Sequence, residues 1–330
     1  MKKSWLVTGG AGYIGSHVAR ALNDAQMHPV VVDDLSSGHR EFVAPDVPLV
    51  EGSILDTELL SRTMHEHQVV GVIHLAGFKY AGVSVERPLH TYQQNVTGTL
   101  SLLEAMATQG VDLMVFSSSA ATFGTPDVDL VTEQTPTHPE SPYGESKLIG
   151  EWLIADQARA VGLRHTSLRY FNVVGSGHDD LYDTSPHNLF PLVFDALLDG
   201  RTPRINGDDY NTPDGTCVRD YVHVQDLALS HVAAARQLAA GNALKSIYNL
   251  GSGNGSSVRQ IMDAMSRVTG IDFSPQIGPR RPGDPDRIVA TGQAAEKPGP
   301  RLANAAYAGR NGGEVLGRLA QSAAADQKDG

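Results

Sequence analysis

Residues 5–15 read Trp-Leu-Val-Thr-Gly-Gly-Ala-Gly-Tyr-Ile-Gly, and this stretch decides the fold. Its first four residues form a short apolar run that predicts a β-strand, and the apolar spacing from Tyr13 to Leu22 predicts a helix. A second apolar run, Val30 to Val32, follows that helix. The order strand, glycine-rich turn, helix, strand predicts a βαβ unit with two parallel strands.

The glycines of the turn have the spacing of a dinucleotide-binding loop. Gly9 permits a tight turn, Gly12 lets a pyrophosphate approach the backbone, and Gly15 lets the helix pack closely on the strand. Asp33 ends the second apolar run 24 residues after Gly9, where a carboxylate can accept hydrogen bonds from an adenosine ribose. An acid there would repel a 2′-phosphate, so the pattern predicts NAD rather than NADP. Asp34 adds to this preference, unless it only caps the loop.

Apolar runs and helical segments alternate through the first half of the chain, which predicts a parallel sheet covered on both faces. The fold class is therefore α/β, with a doubly wound parallel sheet of the Rossmann type. The predicted strands are 49–50, 69–74, 113–118 and 166–170, and the predicted helices are 56–67, 88–109 and 143–161.

The composition of the sequence changes after Asn172, where residues 175–187 and 206–215 are rich in Gly, Asp, Asn and Pro. We interpret these stretches as loops that enclose a ligand. Residues 1–172 are predicted to form the NAD-binding domain and 173–330 mainly a smaller α/β substrate domain, with about 217–250 returning to the first. Further elements are predicted as helices at 188–198, 224–240, 258–269 and 314–325, and a strand at 247–250.

Composition excludes several classes of protein. The chain has 330 residues with 26 basic and 37 acidic side chains, a net charge of −11, which argues against a general binder of nucleic acid or membrane surfaces. Cys217 is the only cysteine, so no internal disulfide can form and no metal site is expected. No stretch has the roughly 18 apolar residues of a membrane span. These features predict a cytoplasmic protein.

Tyr143 and Lys147 stand four residues apart at the start of a predicted helix and so share one face. A nearby ammonium favours the phenolate of a tyrosine, whose ordinary pKa is about 10. Lys147 could supply part of that stabilisation and a cationic cofactor ring the rest, which would make Tyr143 a base. Taken alone, the same spacing also fits a solvated pair on a helix surface.

Nine motifs in this order resemble the extended short-chain dehydrogenase/reductase family, and within it the UDP-glucose 4-epimerases. The resemblance runs from about Trp5 to Ala290. The motifs are VTGGAGYIGS (7–16), HLAGFK (74–79), NVTGT (95–99), FSSSAATFG (116–124), SPYGESK (141–147), RYFN (169–172), DGTCVRDYVHV (214–224), YNLG (248–251) and PRRPGD (279–284).

The resemblance implies roles for matching residues. Tyr143 would be the catalytic base, Lys147 would lower its pKa and hold the nicotinamide ribose, and Ser119 would hydrogen-bond the reacting sugar oxygen. The implied NAD-binding residues are Gly9, Gly12, Tyr13, Ile14, Gly15, Asp33, Asp34, Leu35, Ser36, Ser37, Gly38, Ser53, Ile54, Leu75, Ala76, Gly77, Lys79, Asn95, Ser119, Tyr143, Lys147 and Phe171. The implied substrate-binding residues are Asn172, Asn188, Leu189, Arg204, Ile205, Asn206, Arg219, Arg281, Asp284 and Ile288.

The implied activity is the NAD-dependent interconversion of UDP-galactose and UDP-glucose. Hydride would leave C4 of the sugar, the 4-keto sugar would turn over, and the hydride would return to its other face. The resemblance also implies a homodimer formed through the long helices near 88–109 and 143–161.

The chain departs from the family at Ser53, where an acid often contacts adenine, and at Asn206, where an aromatic residue often lies near the uracil. At Ile288 the family varies between tyrosine, which restricts the pocket to plain hexoses, and smaller residues that admit an N-acetyl group. Epimerisation of N-acetylated UDP-sugars therefore stays open as an alternative.

The same fold also supports other activities. The related 4,6-dehydratases carry an Asp-Glu pair after the catalytic Ser or Thr, whereas Ala120 and Ala121 follow Ser119 here. A dehydratase is therefore disfavoured. A decarboxylase of UDP-uronic acids and another UDP-sugar-modifying enzyme stay open, as does an inactive NAD-sensing scaffold, although such a scaffold typically loses the tyrosine or the lysine.

Overall fold

The computed structural model describes residues 3–281 and 284–291, and every structural statement below refers to those residues. The strands are β1 (Ser4–Thr8), β2 (Pro29–Asp33), β3 (Leu49–Glu51), β4 (Val69–His74), β5 (Leu113–Ser119), β6 (Arg164–Tyr170), β7 (Asn172–Val174), β8 (Arg204–Asn206), β9 (Val218–His223), β10 (Ile247–Leu250), β11 (Gly255–Ser257), β12 (Gln276–Gly278) and β13 (Arg287–Ile288). The α-helices are α1 (Tyr13–Asp24), α2 (Thr57–Glu66), α3 (Ala81–Glu86), α4 (Pro88–Tyr92), α5 (Gly98–Gln109), α6 (Pro142–Val161), α7 (Leu189–Leu198), α8 (Val224–Ala239) and α9 (Val258–Thr269).

Seven strands form one parallel sheet in the order β10-β6-β5-β4-β1-β2-β3. Alternate side chains of a strand point to opposite faces, and both faces are buried here. Val7, Val31 and Ile73 pack in one apolar cluster with α1 and α8, whereas Leu6 and Val72 pack in another with α2, α5 and α6. The predicted doubly wound sheet, with the strand reversal beside β1, is confirmed.

The helix predicted at 88–109 is interrupted. A π-helical turn, Gln93–Thr97, lies between α4 and α5. Asn95 is buried in this turn, and its side chain accepts a hydrogen bond from Phe78 N at 2.6 Å and donates to Ser146 Oγ at 2.8 Å. Widened helical turns often occur at functional sites. This one connects the loop after β4 to the start of α6.

A second, smaller sheet lies in the half of the chain that we expected to form the smaller α/β domain, but its strands were not predicted individually. β9 pairs with β11, β13 and β7, and β8 pairs separately with β12. We did not predict β9 from the sequence. Its buried residues include Arg219 and Asp220, so the strand lacks the apolar pattern of a core strand. Asp220 accepts hydrogen bonds from the backbone N–H groups of Ser252, Gly253 and Ala290. These bonds hold the loop after β10 and the segment after β13 against β9.

Residues 217–250, which were predicted to return to the NAD-binding domain, divide between the two sheets. α8 packs against α1 and β10 extends the large sheet beyond β6, whereas β9 belongs to the small sheet. The domain division at 172 stays a prediction. The helix predicted at 314–325 lies outside the described residues.

None of the described helices has the length and apolar character needed to cross a membrane. In the same part of the chain, no group of three or more His, Cys, Asp or Glu side chains is arranged to hold a metal ion.

Two buried histidines link the large sheet to its helices. His74 on β4 hydrogen-bonds Thr8 Oγ1 at 2.7 Å and Thr99 Oγ1 at 3.1 Å. His231 on α8 hydrogen-bonds Ser117 Oγ at 2.7 Å. Burial lowers the pKa of His74 to about 3 and that of His231 to about 4. Both imidazoles are therefore neutral at pH 7.

We expect the free energy of unfolding to fall as the pH drops from about 6.5 towards about 4, because the unfolded chain protonates these histidines in that window and the folded chain does not. Urea unfolding curves at several pH values would measure the loss. His231→Gln should reduce the slope of the unfolding free energy against pH, because up to about one proton fewer is taken up on unfolding. Replacement of the exposed His65 by Gln should not reduce this slope. Equal slopes for wild type and His231→Gln would contradict this expectation.

Candidate active site

A cavity of about 1200 Å³ runs along the carboxyl ends of the large sheet. Segments that follow β1, β2, β3, β4, β5 and β6 all contribute to its wall. The other side is formed by α7 and by Arg281, Asp284, Pro285 and Ile288. Open α/β sheets bind their ligands at this edge, beside the point where the strand order reverses.

The glycine loop lies at the bottom of the cavity and is tightly packed. Gly9 has a φ of +70°, which a glycine adopts without strain. A Cβ atom on Gly15 would lie 2.0 Å from the carbonyl oxygen of Gly9, so only a glycine lets α1 approach the turn. Gly12 is the N-cap of α1 and has no side chain to cap it. The first N–H groups of α1 are thus available to a phosphate.

Asp33 and Asp34 at the end of β2 have different surroundings. The buried Asp33 carboxylate accepts hydrogen bonds from the N–H groups of Ala11 and Leu35, both at 2.9 Å. Burial raises the pKa of Asp33, and these bonds and the charge of Lys79 oppose that rise. Asp34 is exposed and caps its own loop, since it accepts hydrogen bonds from Ser36 N and Oγ. It nevertheless lines the cavity.

The three predicted catalytic side chains meet where β5 ends and α6 begins. Ser141 caps α6 by accepting a hydrogen bond from Gly144 N at 3.2 Å, and this places Tyr143 and Lys147 in the first two turns. Lys147 Nζ donates to Ser117 O at 2.9 Å and lies 5.9 Å from the centroid of the Tyr143 ring. Ser119, the last residue of β5, hydrogen-bonds Tyr143.

The pKa values here differ from the sequence-based expectation in one respect. We expected Lys147 to lower the pKa of Tyr143, but burial raises it, and the hydrogen bond with Ser119 opposes that rise. Burial lowers the pKa of Lys147 to about 8, and the charge of Glu151 counteracts this. The reason is desolvation, which disfavours the charged form of both groups. The chain alone therefore holds Tyr143 as a neutral phenol.

Most of the predicted substrate-side residues line the same cavity. Arg219 approaches Asp284 with Nη2 to Oδ1 at 3.5 Å and donates from Nη1 to Pro285 O at 2.7 Å. Asn188 donates from Nδ2 to Asp183 Oδ2 at 2.6 Å. The substrate-side residues on the wall are Asn172, Asn188, Leu189, Arg204, Asn206, Arg219, Arg281, Asp284 and Ile288.

Four predicted site residues do not lie on the cavity wall. Leu35 turns the chain after Asp33 with a φ of +57°, and Ser53 accepts a hydrogen bond from Leu55 N. Asn95 lies behind the wall in the π-helical turn, and Ile205 is buried in the core of the small sheet. Their assigned roles stay predictions. The other predicted cofactor residues on the wall are Tyr13, Ile14, Ser36, Ser37, Gly38, Ile54, Leu75, Ala76, Gly77, Lys79 and Phe171.

The wall also contains residues that the sequence did not single out. Tyr80 and His187 meet edge to face across the cavity, with ring centroids 4.7 Å apart. Burial lowers the pKa of Lys79, and the charge of Asp183 opposes that lowering. No motif marks these residues, because each depends on a loop that approaches from the other half of the chain. Tyr80 had a signal, since it directly follows Lys79, and Asp183 and His187 lie in the stretch 175–187 that was interpreted as a ligand-enclosing loop.

The sequence matches the model of the NAD dependent epimerase/dehydratase family over residues 5–251. The chain belongs to this family. The match includes the glycine loop and the three residues that meet at β5 and α6.

Similar proteins in this family are UDP-glucose 4-epimerases. The protein of that name from Azospirillum brasilense is 46% identical over 289 residues, which cover 86% of this chain and 83% of the relative. A crystal structure of a UDP-glucose 4-epimerase superposes with a TM-score of 0.91 at 39% identity and covers 99% of both chains. The Bifidobacterium longum UDP-glucose 4-epimerase, solved with NAD+ and UDP, gives a TM-score of 0.87 at 34% identity and covers 98% of both chains.

The residues present fit the dinucleotide that the family name specifies. The uncapped start of α1 offers N–H groups to a pyrophosphate, and Gly12 keeps that approach clear. Asp33 retains acceptor capacity for a ribose hydroxyl because each of its oxygens accepts a single backbone bond. Lys79 supplies a cation on the same wall.

Gly15→Ala should open the glycine loop, because the added methyl group would overlap Gly9 O. We expect a loss of stability of about 1–3 kcal/mol and little NAD in the purified protein. Thermal melts and the absorbance of released nucleotide would measure both. Gly82→Ala is the matched control for stability, since its methyl group meets no atom within 4 Å. The same melting temperature and NAD content for Gly15→Ala and wild type would contradict the close packing described here.

Proposed function

We propose that the protein interconverts UDP-glucose and UDP-galactose by epimerisation at C4, with NAD as a bound cofactor. The observation that carries this proposal is the meeting of Ser119, Tyr143 and Lys147 at the edge of the cavity, next to the dinucleotide loop. The similarity to UDP-glucose 4-epimerases over most of the chain supports the same substrates.

NAD, when bound, supplies the hydride acceptor and donor that the inversion of a secondary alcohol requires. Tyr143 Oη takes the proton of the 4-hydroxyl and later returns it, and Ser119 Oγ holds the same sugar oxygen by a hydrogen bond. Lys147 stabilises negative charge on Tyr143 once the site is filled. Between the two hydride transfers the 4-keto sugar turns over, so that both of its faces are presented in turn.

The nucleotide must be held firmly while the hexose turns. Arg219 and Arg281 are proposed to bind the UDP part, because a guanidinium binds phosphate and carboxylate oxygens in a bidentate manner. In a chain of net charge −11, an anionic ligand needs such local cations. Asn188 and Asp284 add polar contacts on the same side.

Elimination of water from the sugar would need an acid and a base next to Ser119. Ala120 and Ala121 occupy these positions and line the cavity instead. This favours the epimerase over a dehydratase. An inactive scaffold is disfavoured because Ser119, Tyr143 and Lys147 are all present.

The sugar pocket is bounded in part by Ile288, which is buried among Phe123, Phe171 and Ala290. Whether N-acetylated UDP-sugars are accepted depends on the space beside this side chain. A cytoplasmic location is also proposed, on the basis of the single cysteine.

Incubation of the protein with UDP-galactose should yield UDP-glucose, which coupled oxidation or chromatography would detect. Tyr143→Phe should lower kcat by about a hundredfold to ten-thousandfold because the proton acceptor is lost. Ser119→Ala should lower it by about tenfold, the worth of one hydrogen bond.

The matched control is Tyr182→Phe, which alters an exposed tyrosine outside the cavity and should leave kcat unchanged. The same assay with UDP-N-acetylgalactosamine decides the N-acetyl alternative. An NAD-loaded protein that converts no UDP-sugar would exclude the epimerase and favour a sensor.

A homodimer is proposed to form through α5 and α6. Leu100 on α5 and Trp152 on α6 are large apolar side chains that are 40% and 57% exposed, and the two helices pack side by side. Apolar side chains of this size are typical of interface cores.

Trp152→Glu should convert the dimer to a monomer, because a carboxylate would be desolvated in the interface. Size-exclusion chromatography with light scattering would measure the mass. Leu198→Glu, an equally drastic change at a more exposed leucine on α7, is the control and should stay dimeric. A wild-type protein that is monomeric at micromolar concentration would rule out this interface.

A further inference from the structure

A buried ion pair lies directly behind the three catalytic side chains. Arg169 on β6 donates to Glu151 on α6 through two hydrogen bonds, Nε to Oε1 at 2.8 Å and Nη2 to Oε2 at 2.5 Å. The side chains of Arg169 and Glu151 are only 4% and 5% exposed. The mechanism described above uses neither of them.

The pair contacts the chain on both sides of Ser119. Ser118 Oγ donates to Glu151 Oε1 at 2.5 Å, immediately before Ser119. The guanidinium carbon of Arg169 lies 4.9 Å from the centroid of the Phe123 ring, in the short helix that follows Ser119. The end of β5 is therefore held from the side of α6 and from the side of β6.

Glu151 also belongs to the helical face that carries the catalytic residues. Tyr143, Lys147 and Glu151 are spaced by four residues along α6, and all three are buried. The charge of Glu151 raises the pKa of Lys147, against the lowering caused by burial.

Three other titratable groups around Lys147 are neutral at pH 7. His74 on β4 faces Lys147 and is neutral at pH 7 because its pKa is lowered to about 3. Tyr170 on β6 is a neutral phenol whose pKa is raised by burial. His231 on α8 hydrogen-bonds Ser117 Oγ and Leu227 O, and it is neutral because burial lowers its pKa to about 4. Arg169 is charged as well, but the pKa of Lys147 is shifted by burial and by Glu151, so Glu151 is the charged group that acts on Lys147 in the described part of the chain.

We propose that Glu151 and Arg169 are positioning residues of the epimerisation, which fix the end of β5 that carries Ser119 against α6 and keep Lys147 in its ammonium form. The inference rests on the proposed function, since it assigns a role in that reaction. Stability alone does not explain the pair, because a buried ion pair often contributes no more than well-packed apolar side chains.

Glu151→Gln keeps the size of the side chain and removes its charge. We expect kcat for UDP-galactose to fall about tenfold or more, as a displaced catalytic group would cause, while KM changes less than twofold to threefold. The alkaline limb of the kcat profile should move to lower pH, because Lys147 without the carboxylate loses its proton more easily. A merely structural role would not move this limb.

Two further variants separate positioning from charge. Ser118→Ala removes the hydrogen bond to Glu151 without altering any charge, so kcat should fall several-fold and the alkaline limb should stay in place. Asp112→Asn breaks the exposed Arg164–Asp112 ion pair at the other end of β6 and should change neither quantity.

Each outcome decides a separate question. If wild type epimerises and Glu151→Gln has an unchanged kcat and pH profile, this inference is wrong while the proposed function stands. If wild type converts no UDP-sugar, the proposed function fails first. If Glu151→Gln does not fold, as judged by circular dichroism and NAD content, Ser118→Ala decides, and an unchanged kcat in that variant overturns the positioning role.

Discussion

The arrangement of the site depends on one buried positive charge, the ammonium group of Lys147. An unpaired ammonium in a protein interior costs several kcal/mol, so it must be surrounded by acceptors. The carbonyl of Ser117 accepts its hydrogen bond, the ring of Phe116 lies 5.1 Å away, and Glu151 follows one turn later. Two of these partners belong to β5 and one to α6. Satisfying the charge therefore requires α6 to cross the end of β5, and this crossing brings Tyr143 to Ser119.

Two cations of the cavity wall, Lys79 and Arg219, lie beside carboxylates. Lys79 is stabilised by Asp183 and Asp33, and Arg219 lies beside Asp284. In a chain of net charge −11 this arrangement keeps each cation oriented without leaving it unpaired at the cavity wall. On the proposed function, a nucleotide diphosphate would add to these pairs without recruiting side chains from solvent. Preorganised charges of this kind bind without a large reorganisation cost.

The sequence predicted the features that depend on local pattern, namely the parallel sheet, the glycine loop and the helix that starts at Tyr143. It failed where polar residues are buried by contacts distant in sequence. β9 was missed because Arg219 and Asp220 conceal it, and the partners of Asp220 lie 32 to 70 residues away. Glu151 and Arg169 were missed for the same reason. Nothing in the sequence around either residue indicates that the other is its partner. Local periodicity contains no information about which distant group satisfies a buried charge.

The state of Tyr143 connects catalysis to the loading of the site. Lowering a tyrosine pKa from about 10 to near 7 takes about 4 kcal/mol of differential stabilisation. In the chain alone, burial acts in the opposite direction and outweighs the hydrogen bond from Ser119. Lys147 is already engaged with Ser117, and its own pKa is lowered to about 8. In the proposed reaction the missing stabilisation comes from Lys147 together with the positive charge of the nicotinamide ring of bound NAD, because a UDP-sugar brings only negative charge. On this proposal Tyr143 ionises once oxidised NAD is bound, and it is a neutral phenol in the protein without the cofactor.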